Sequence, residues 1–129
     1  MAAGHVLDAS ALLAVLHEEA GAEAVLPVLE GALMSSVNWS EVVQKAAARG
    51  VAVGGRMRRD VEAIGVTIVP FEPDDAEAAA RIWVGAPRAG LSLGDRACLA
   101  LARDRGAVVL TTDRAWAALP LDVAVEVVR

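Results

Sequence analysis

Four acidic residues stand in short runs that mix apolar, hydroxyl and amide side chains. They are Asp8 in Val6-Leu7-Asp8-Ala9-Ser10, Glu41 in Asn38-Trp39-Ser40-Glu41-Val42, Asp95 in Ser92-Leu93-Gly94-Asp95-Arg96 and Asp113 in Thr111-Thr112-Asp113-Arg114. Gathered on one rim, four carboxylates repel and hold their protons unless a cation neutralises them. The donors are all oxygen, and the only histidines are His5 and His17. Such a set suits Mg²⁺ or Mn²⁺ and does not suit zinc. The chemistry it predicts is metal-assisted attack of water on a phosphodiester, with both the attacking and leaving oxygens stabilised. Asp8, Asp95 and Asp113 would hold metal, and Glu41 would hold metal or orient and deprotonate the water. Ser10, Thr111 and Thr112 add hydroxyls as further ligands or as supports for the carboxylates. Arg96 and Arg114, each directly after an acid, could meet substrate phosphate or pair with a neighbouring carboxylate instead.

The acids meet only if the elements between them bring them to one edge. Short β-branched runs alternate with longer Ala- and Leu-rich stretches, which predicts an α/β layer fold with a mainly parallel sheet. Strands are expected at 5–7, 32–37, 66–69, 107–110 and 123–127. Helices are expected at 10–16, 22–30, 38–49 with Asn38 as cap, 55–64, 73–83 with Pro73 in the first turn, and 92–105. Gly50 and Gly106 mark helix ends, residues 85–90 form a loop, and Asp113 starts a short helical turn. In a parallel sheet every strand-to-helix junction lies at the carboxyl edge, where open α/β sheets bind ligands. Asp8, Glu41 and Asp113 each follow a strand and precede a helix. Asp95 opens a helix feeding the fourth strand, so its N-terminus faces the same edge. Nearby helix N-termini favour anions there.

Each acid also has a plainer explanation. Asn38-x-x-Glu41 and Ser92-x-x-Asp95 fit the capping-box pattern, and Asp8 and Asp113 could close turns or cap helices. A binding module with a merely capping rim, assembling with a protein partner, is therefore the alternative to an enzyme. Two other acidic phosphoryl-transfer sites fit less well. A phosphoacceptor receiver needs an acidic pair near strand one and a late lysine, and a haloacid-dehalogenase site needs an Asp where Ser10 stands.

The chain has 129 residues, enough for one domain over its full length, and is 56% hydrophobic with 22% charged residues. No apolar run reaches the roughly 18 residues of a spanning helix, and Asp8 comes too early for a signal peptide. Cys98 is the single cysteine, so a reducing, cytoplasmic setting is expected. With 17 acids against 12 bases the net charge is −5, which at first argues against a nucleic-acid partner. Setting the four acids aside leaves 13 against 12, so the excess is mostly the predicted site. Eleven bases are Arg and one is Lys45. The Arg49, Arg56, Arg58 and Arg59 group reads as a solvated face or as contacts to RNA phosphates. Gly54-Gly55-Arg56 lacks the Gly-Lys-Ser/Thr of a phosphate loop. Trp39, Trp83 and Trp116 read as core or interface anchors, since serial base stacking needs more aromatics.

In these four blocks, in this order and spacing, the sequence resembles a PIN domain over essentially its whole length, and in particular a VapC-type toxin of a toxin–antitoxin module. The resemblance implies a PIN-like three-layer α/β/α fold with a central five-stranded parallel sheet and a divalent-metal ribonuclease. Asp8, Glu41, Asp95 and Asp113 match the family's acidic quartet, Thr111 its hydroxyl position and Asn38 its polar position before the glutamate. The resemblance further implies an RNA substrate, a homodimer and inhibition by a small antitoxin that approaches the acidic cleft. The apolar excess would then have a protein partner to cover it.

Overall fold

The sheet forms because its strands carry apolar side chains on both faces, as buried parallel strands do. In β1 (His5–Leu7) Val6 faces one layer and Leu7 the other, and in β4 (Val108–Thr111) Val109 and Leu110 divide the same way. These four side chains are all at most 1% exposed. Two cores result. One joins Leu12, Val25, Met34, Val42 and Val61 to Leu7 and Leu110; the other joins Ile82, Cys98, Leu99 and Trp116 to Val6 and Val109. The expected three-layer α/β/α arrangement is what the computed structural model shows; it describes residues 4–129.

From β1 the chain runs through α1 (Ala9–Leu16), α2 (Ala22–Val25), β2 (Leu33–Ser35), α3 (Ser36–Ala48), α4 (Gly55–Ile64) and β3 (Thr67–Val69). It continues through α5 (Pro73–Gly85), α6 (Leu93–Arg105), β4, a 3-10 turn at Arg114–Ala118 and β5 (Val125–Val127). The strand order is β3-β2-β1-β4-β5, and every pairing is parallel, where the sequence predicts only a mainly parallel sheet. Consecutive strands add outward from β1 to β3, and the chain then returns to the other side of β1 with β4. The β1–β4 gap is thus the switch point of the sheet, the usual ligand position in such folds.

Two expected boundaries move for physical reasons. The helix expected at 22–30 breaks after Val25 into a 3-10 turn, Leu26–Val28, because Pro27 has no N–H for a continuing α-helix. Helix α3 starts at Ser36, not at Asn38. Ser35 is its cap, its hydroxyl accepting from the Val37 N–H at 3.2 Å. Asn38-x-x-Glu41 is therefore no capping box; both residues lie inside the helix, one turn apart on one face. The Ser92–Asp95 box does form around the start of α6, with Ser92 N–H donating to Asp95 Oδ2 (2.9 Å) and Asp95 N–H to Ser92 Oγ (3.1 Å).

Candidate active site

Asp8 directly follows β1 at the switch point and is only 6% exposed. It occupies the cap position of α1, yet its carboxylate makes no cap bond. Instead Oδ2 accepts from Ser10 Oγ at 2.7 Å and from Thr111 Oγ1 at 2.9 Å. Both hydroxyls are fixed in turn. Ser10 Oγ accepts from the Thr112 N–H (3.0 Å), and Thr111 Oγ1 accepts from the Asp113 N–H (3.1 Å). Oδ1 takes no part in this pair. Burial raises the Asp8 pKa, the two hydroxyl donors oppose it, and the charge of Asp95 raises it further.

Glu41 reaches the site from the second turn of α3. Its pKa is raised by burial first and then by Asp8; Lys45, 3.8 Å away, pulls it down, and Asp95 pushes it up again. Asn38, fully buried one turn earlier, donates from Nδ2 to the Gly94 carbonyl at 2.9 Å and so docks α3 against the start of α6. Gly94 lets the two helices meet. A Cβ at that position would collide with Glu41 Oε1. The neighbouring Asp95 keeps its cap bond through Oδ2 while its charge reaches Asp8 and Glu41. Cys98 of α6 is fully buried in the second core, and its thiol pKa is pushed well up by burial and by the charges of Asp8, Asp95 and Glu41, so it is a neutral thiol, not a thiolate.

Asp113 is farther out. Its Oδ1 accepts from the Ala115 N–H at 3.0 Å as cap of the 3-10 turn. It shares with Asp95 the wall of a cavity of about 520 Å³, whose other lining includes Leu91, Ala115 and Trp116. Asp8, Glu41 and Asp95 thus share one field, and Asp113 joins Asp95 across the adjoining cavity. Arg114 is exposed and in no ion pair among the described residues. Arg96 turns the other way, donating to the Ala79 carbonyl of α5 at 3.3 Å. Its guanidinium is engaged in holding α5 to α6, so of the two expected phosphate contacts only Arg114 stands free. Thr112 contributes its backbone N–H to Ser10, with no side-chain hydrogen bond.

Sequence reasoning missed the roles of Gly94 and Lys45, while Cys98 lies buried on an apolar helix, as its sequence context implies. Gly94 carried a signal, because glycine inside a helix costs about 1 kcal/mol against alanine and asks for a steric reason. The four-residue spacing of Glu41 and Lys45 also foretold an ion pair.

The donor set suits a hard divalent cation, since the three facing acids offer only oxygen and the buried Asp8 has no basic partner among the described residues. Among the described residues, no three His, Cys, Asp or Glu side chains already enclose an ion. Asp8, Glu41 and Asp95 are the residues that would hold it.

Comparison with known proteins agrees with this architecture. The chain is similar to a toxin–antitoxin complex from Klebsiella pneumoniae, at 19% identity and a TM-score of 0.71, covering 93% of this chain and 100% of that one. It is similar to FitAcB from Neisseria gonorrhoeae at 22% identity and 0.71, covering 94% and 95%. A DNA-bound VapBC from Salmonella typhimurium matches at 17% identity and 0.69, covering 97% and 98%. At such identities the likeness is one of fold. No curated protein matches the chain. The PIN domain model matches residues 5–121, and with nearly the whole chain spanned in this way, the protein belongs to the PIN domain family.

Proposed function

We propose that this PIN domain is a Mg²⁺- or Mn²⁺-dependent endoribonuclease, the VapC-type toxin of a toxin–antitoxin pair. It would act in the cytoplasm as a homodimer and be restrained by a small antitoxin. The observation that carries the nuclease reading is the buried, cation-free carboxylate of Asp8 at the sheet's switch point, within the field of Glu41 and Asp95. Two hydroxyl donors offset only part of the cost of burying such a charge with no opposite charge beside it, and a bound divalent cation would remove the rest.

Each residue then has a task. Asp8, Asp95 and Asp113 would hold the cation, with Glu41 as a fourth ligand or as the base. Bound Mg²⁺ or Mn²⁺ supplies Lewis-acid stabilisation of the phosphate oxygens. Ser10 and Thr111 fix the orientation of the Asp8 carboxylate through Oδ2. The raised pKa of Glu41 brings it nearer neutrality, which suits a carboxylate that takes the proton of the attacking water. Arg114 lies free to meet substrate phosphate. The toxin reading draws on the folds found in toxin–antitoxin complexes. Exposed Trp83 and Val84 on α5 offer apolar surface for the second copy.

Cleavage of a mixed-sequence single-stranded RNA, with and without MnCl₂, tests the activity. Fragments should appear with Mn²⁺ and vanish with excess EDTA or in Asp8→Asn. Undiminished cleavage in EDTA would remove the mechanism. Co-expression with the product of a short neighbouring reading frame, followed by co-purification, tests the pairing.

A further inference from the structure

A second cavity, of about 620 Å³, is lined by α1 and the C-terminal half of α3 and reaches Ser10 and Thr112 beside Asp8. Its lining includes Ser10 and Thr112, which belong to the hydrogen-bonded shell of Asp8, and then His17, Lys45, Arg49 and Arg129. Glu19 is the single acid in that lining. Lys45 is shared with Glu41 at 3.8 Å and Arg49 with Glu19 at 4.0 Å, which leaves Arg129 as the lining's one permanent cation outside an ion pair among the described residues.

Lys45 and Arg49 by themselves need no ligand, because bases near the end of α3 complement its dipole. That account does not reach His17, which ends α1, or Arg129, which follows β5. Three separate elements deliver basic side chains to one groove. Arg49 has only a 4.0 Å contact with Glu19, and both side chains are more than half exposed. Such a pair contributes little and opens readily to a competing anion. His17 Nε2 is buried and has no hydrogen-bond partner among the described residues. Helix α1, eight residues long, is about 12 Å from end to end, longer than one nucleotide step of a strand.

We infer that the α1–α3 groove is the track for the single-stranded RNA on one side of the scissile phosphate, with Arg49 and Arg129 contacting backbone phosphates. This inference rests on the nuclease reading for its substrate and adds where the strand lies. Phosphate contacts of this kind position a strand without reading its bases. The lining holds no Phe, Tyr or Trp, and its one ring is the imidazole of His17; contacts that are mainly to phosphates should bind without sequence preference.

The test is fluorescence anisotropy of a labelled, mixed-sequence RNA oligonucleotide in EDTA, where no cleavage intervenes, at several salt concentrations. The proteins are wild type, Arg49→Gln/Arg129→Gln, and Arg103→Gln/Arg105→Gln as a charge-matched control on the far end of α6. The groove variant should bind about tenfold more weakly or worse, and its salt slope should fall by about 1.4, two single-strand phosphate contacts. Its thermal midpoint should stay at the wild-type value and the control should bind as wild type. Equal binding by the groove variant, an equal loss in the control, or no RNA binding by wild type would each overturn the track. A Mn²⁺ cleavage assay on the same wild-type sample reports separately on the nuclease reading. Binding without cleavage sinks the activity and leaves the groove; cleavage with an unaffected groove variant does the reverse.

Discussion

The Thr111 hydroxyl, at the end of β4, donates a 2.9 Å hydrogen bond to Oδ2 of Asp8, at the end of β1, 103 residues away. It spans the gap where the order of strand addition reverses, so topology and chemistry coincide at one bond. The same oxygen of Thr111 accepts from the Asp113 N–H, which ties the outer acid's backbone to the inner acid's carboxylate.

Thr111→Val keeps the shape and removes that hydroxyl. A hydrogen bond to a charged group contributes about 1.5–3 kcal/mol, and orienting partners of metal ligands are typically worth about 10–100-fold in activity or affinity. Cleavage should fall by that range. Because the lost bond favoured ionised Asp8, the variant's stability deficit should grow as pH rises. Urea titrations at pH 5 and pH 8 check this, and an equal deficit at both would show the bond does not act through the charge.

Asp8→Asn separates stability from function. The folded-state pKa of Asp8 is raised, chiefly by burial, so the native protein holds this proton more tightly than the unfolded chain. Stability therefore falls as pH climbs from the unfolded value, about 3.9, through the raised folded one. In metal-free buffer at pH 7–8 the Asn variant should melt above wild type, the gap closing toward pH 4. Adding Mn²⁺ should reverse the order, since a ligand at 100 times its Kd stabilises by about 2.7 kcal/mol. Differential scanning fluorimetry with and without Mn²⁺ reads both effects.

Gly94→Ala should be stable and impaired. Alanine in a helix gains about 1 kcal/mol over glycine, and the atom its Cβ meets, Glu41 Oε1, is the end of a flexible side chain that can swing aside. What the swing costs is position, because Glu41 would leave the field of Asp8 and Asp95. The expected result is an unchanged or higher melting point with cleavage down at least about tenfold, as misplacement of a reacting group commonly gives. Wild-type cleavage would mean Glu41 need not stand there.

The parts legible in the sequence were those with a local cause. Two-sided apolar strands such as Val6-Leu7 and Val109-Leu110 announce a covered parallel sheet, and Ser92-x-x-Asp95 announces a cap. The start of α3 was less legible because Ser35, Ser36 and Asn38 all have cap-forming side chains. The choice is tertiary, since the Asn38 amide is taken by the Gly94 carbonyl 56 residues on. Arg96 was misdirected for the same reason. Its sequence neighbour is an acid, but the helix turns its guanidinium onto the backbone of α5. Nothing near position 41 in the chain tells of the close approach of Gly94.

Asp95 and Asp113 both cap, and capping alone could account for them. Their amide variants distinguish the two roles. Asn is as good an N-cap residue as Asp, and at Asp113 it preserves the acceptor that the Ala115 N–H uses. At Asp95, in the third position of α6, an amide oxygen can still accept from Ser92 as Gln does in capping boxes. Asp95→Asn and Asp113→Asn should therefore melt within about 0.5 kcal/mol of wild type, as surface changes that keep a cap do, while losing the Mn²⁺-induced shift and the cleavage. Asp95→Asn should lose more, because Asp95 shares the field of Asp8 and Glu41, whereas Asp113 meets only the adjoining cavity. Retained Mn²⁺ response and cleavage in both variants would make them caps alone and leave the binding-module reading standing.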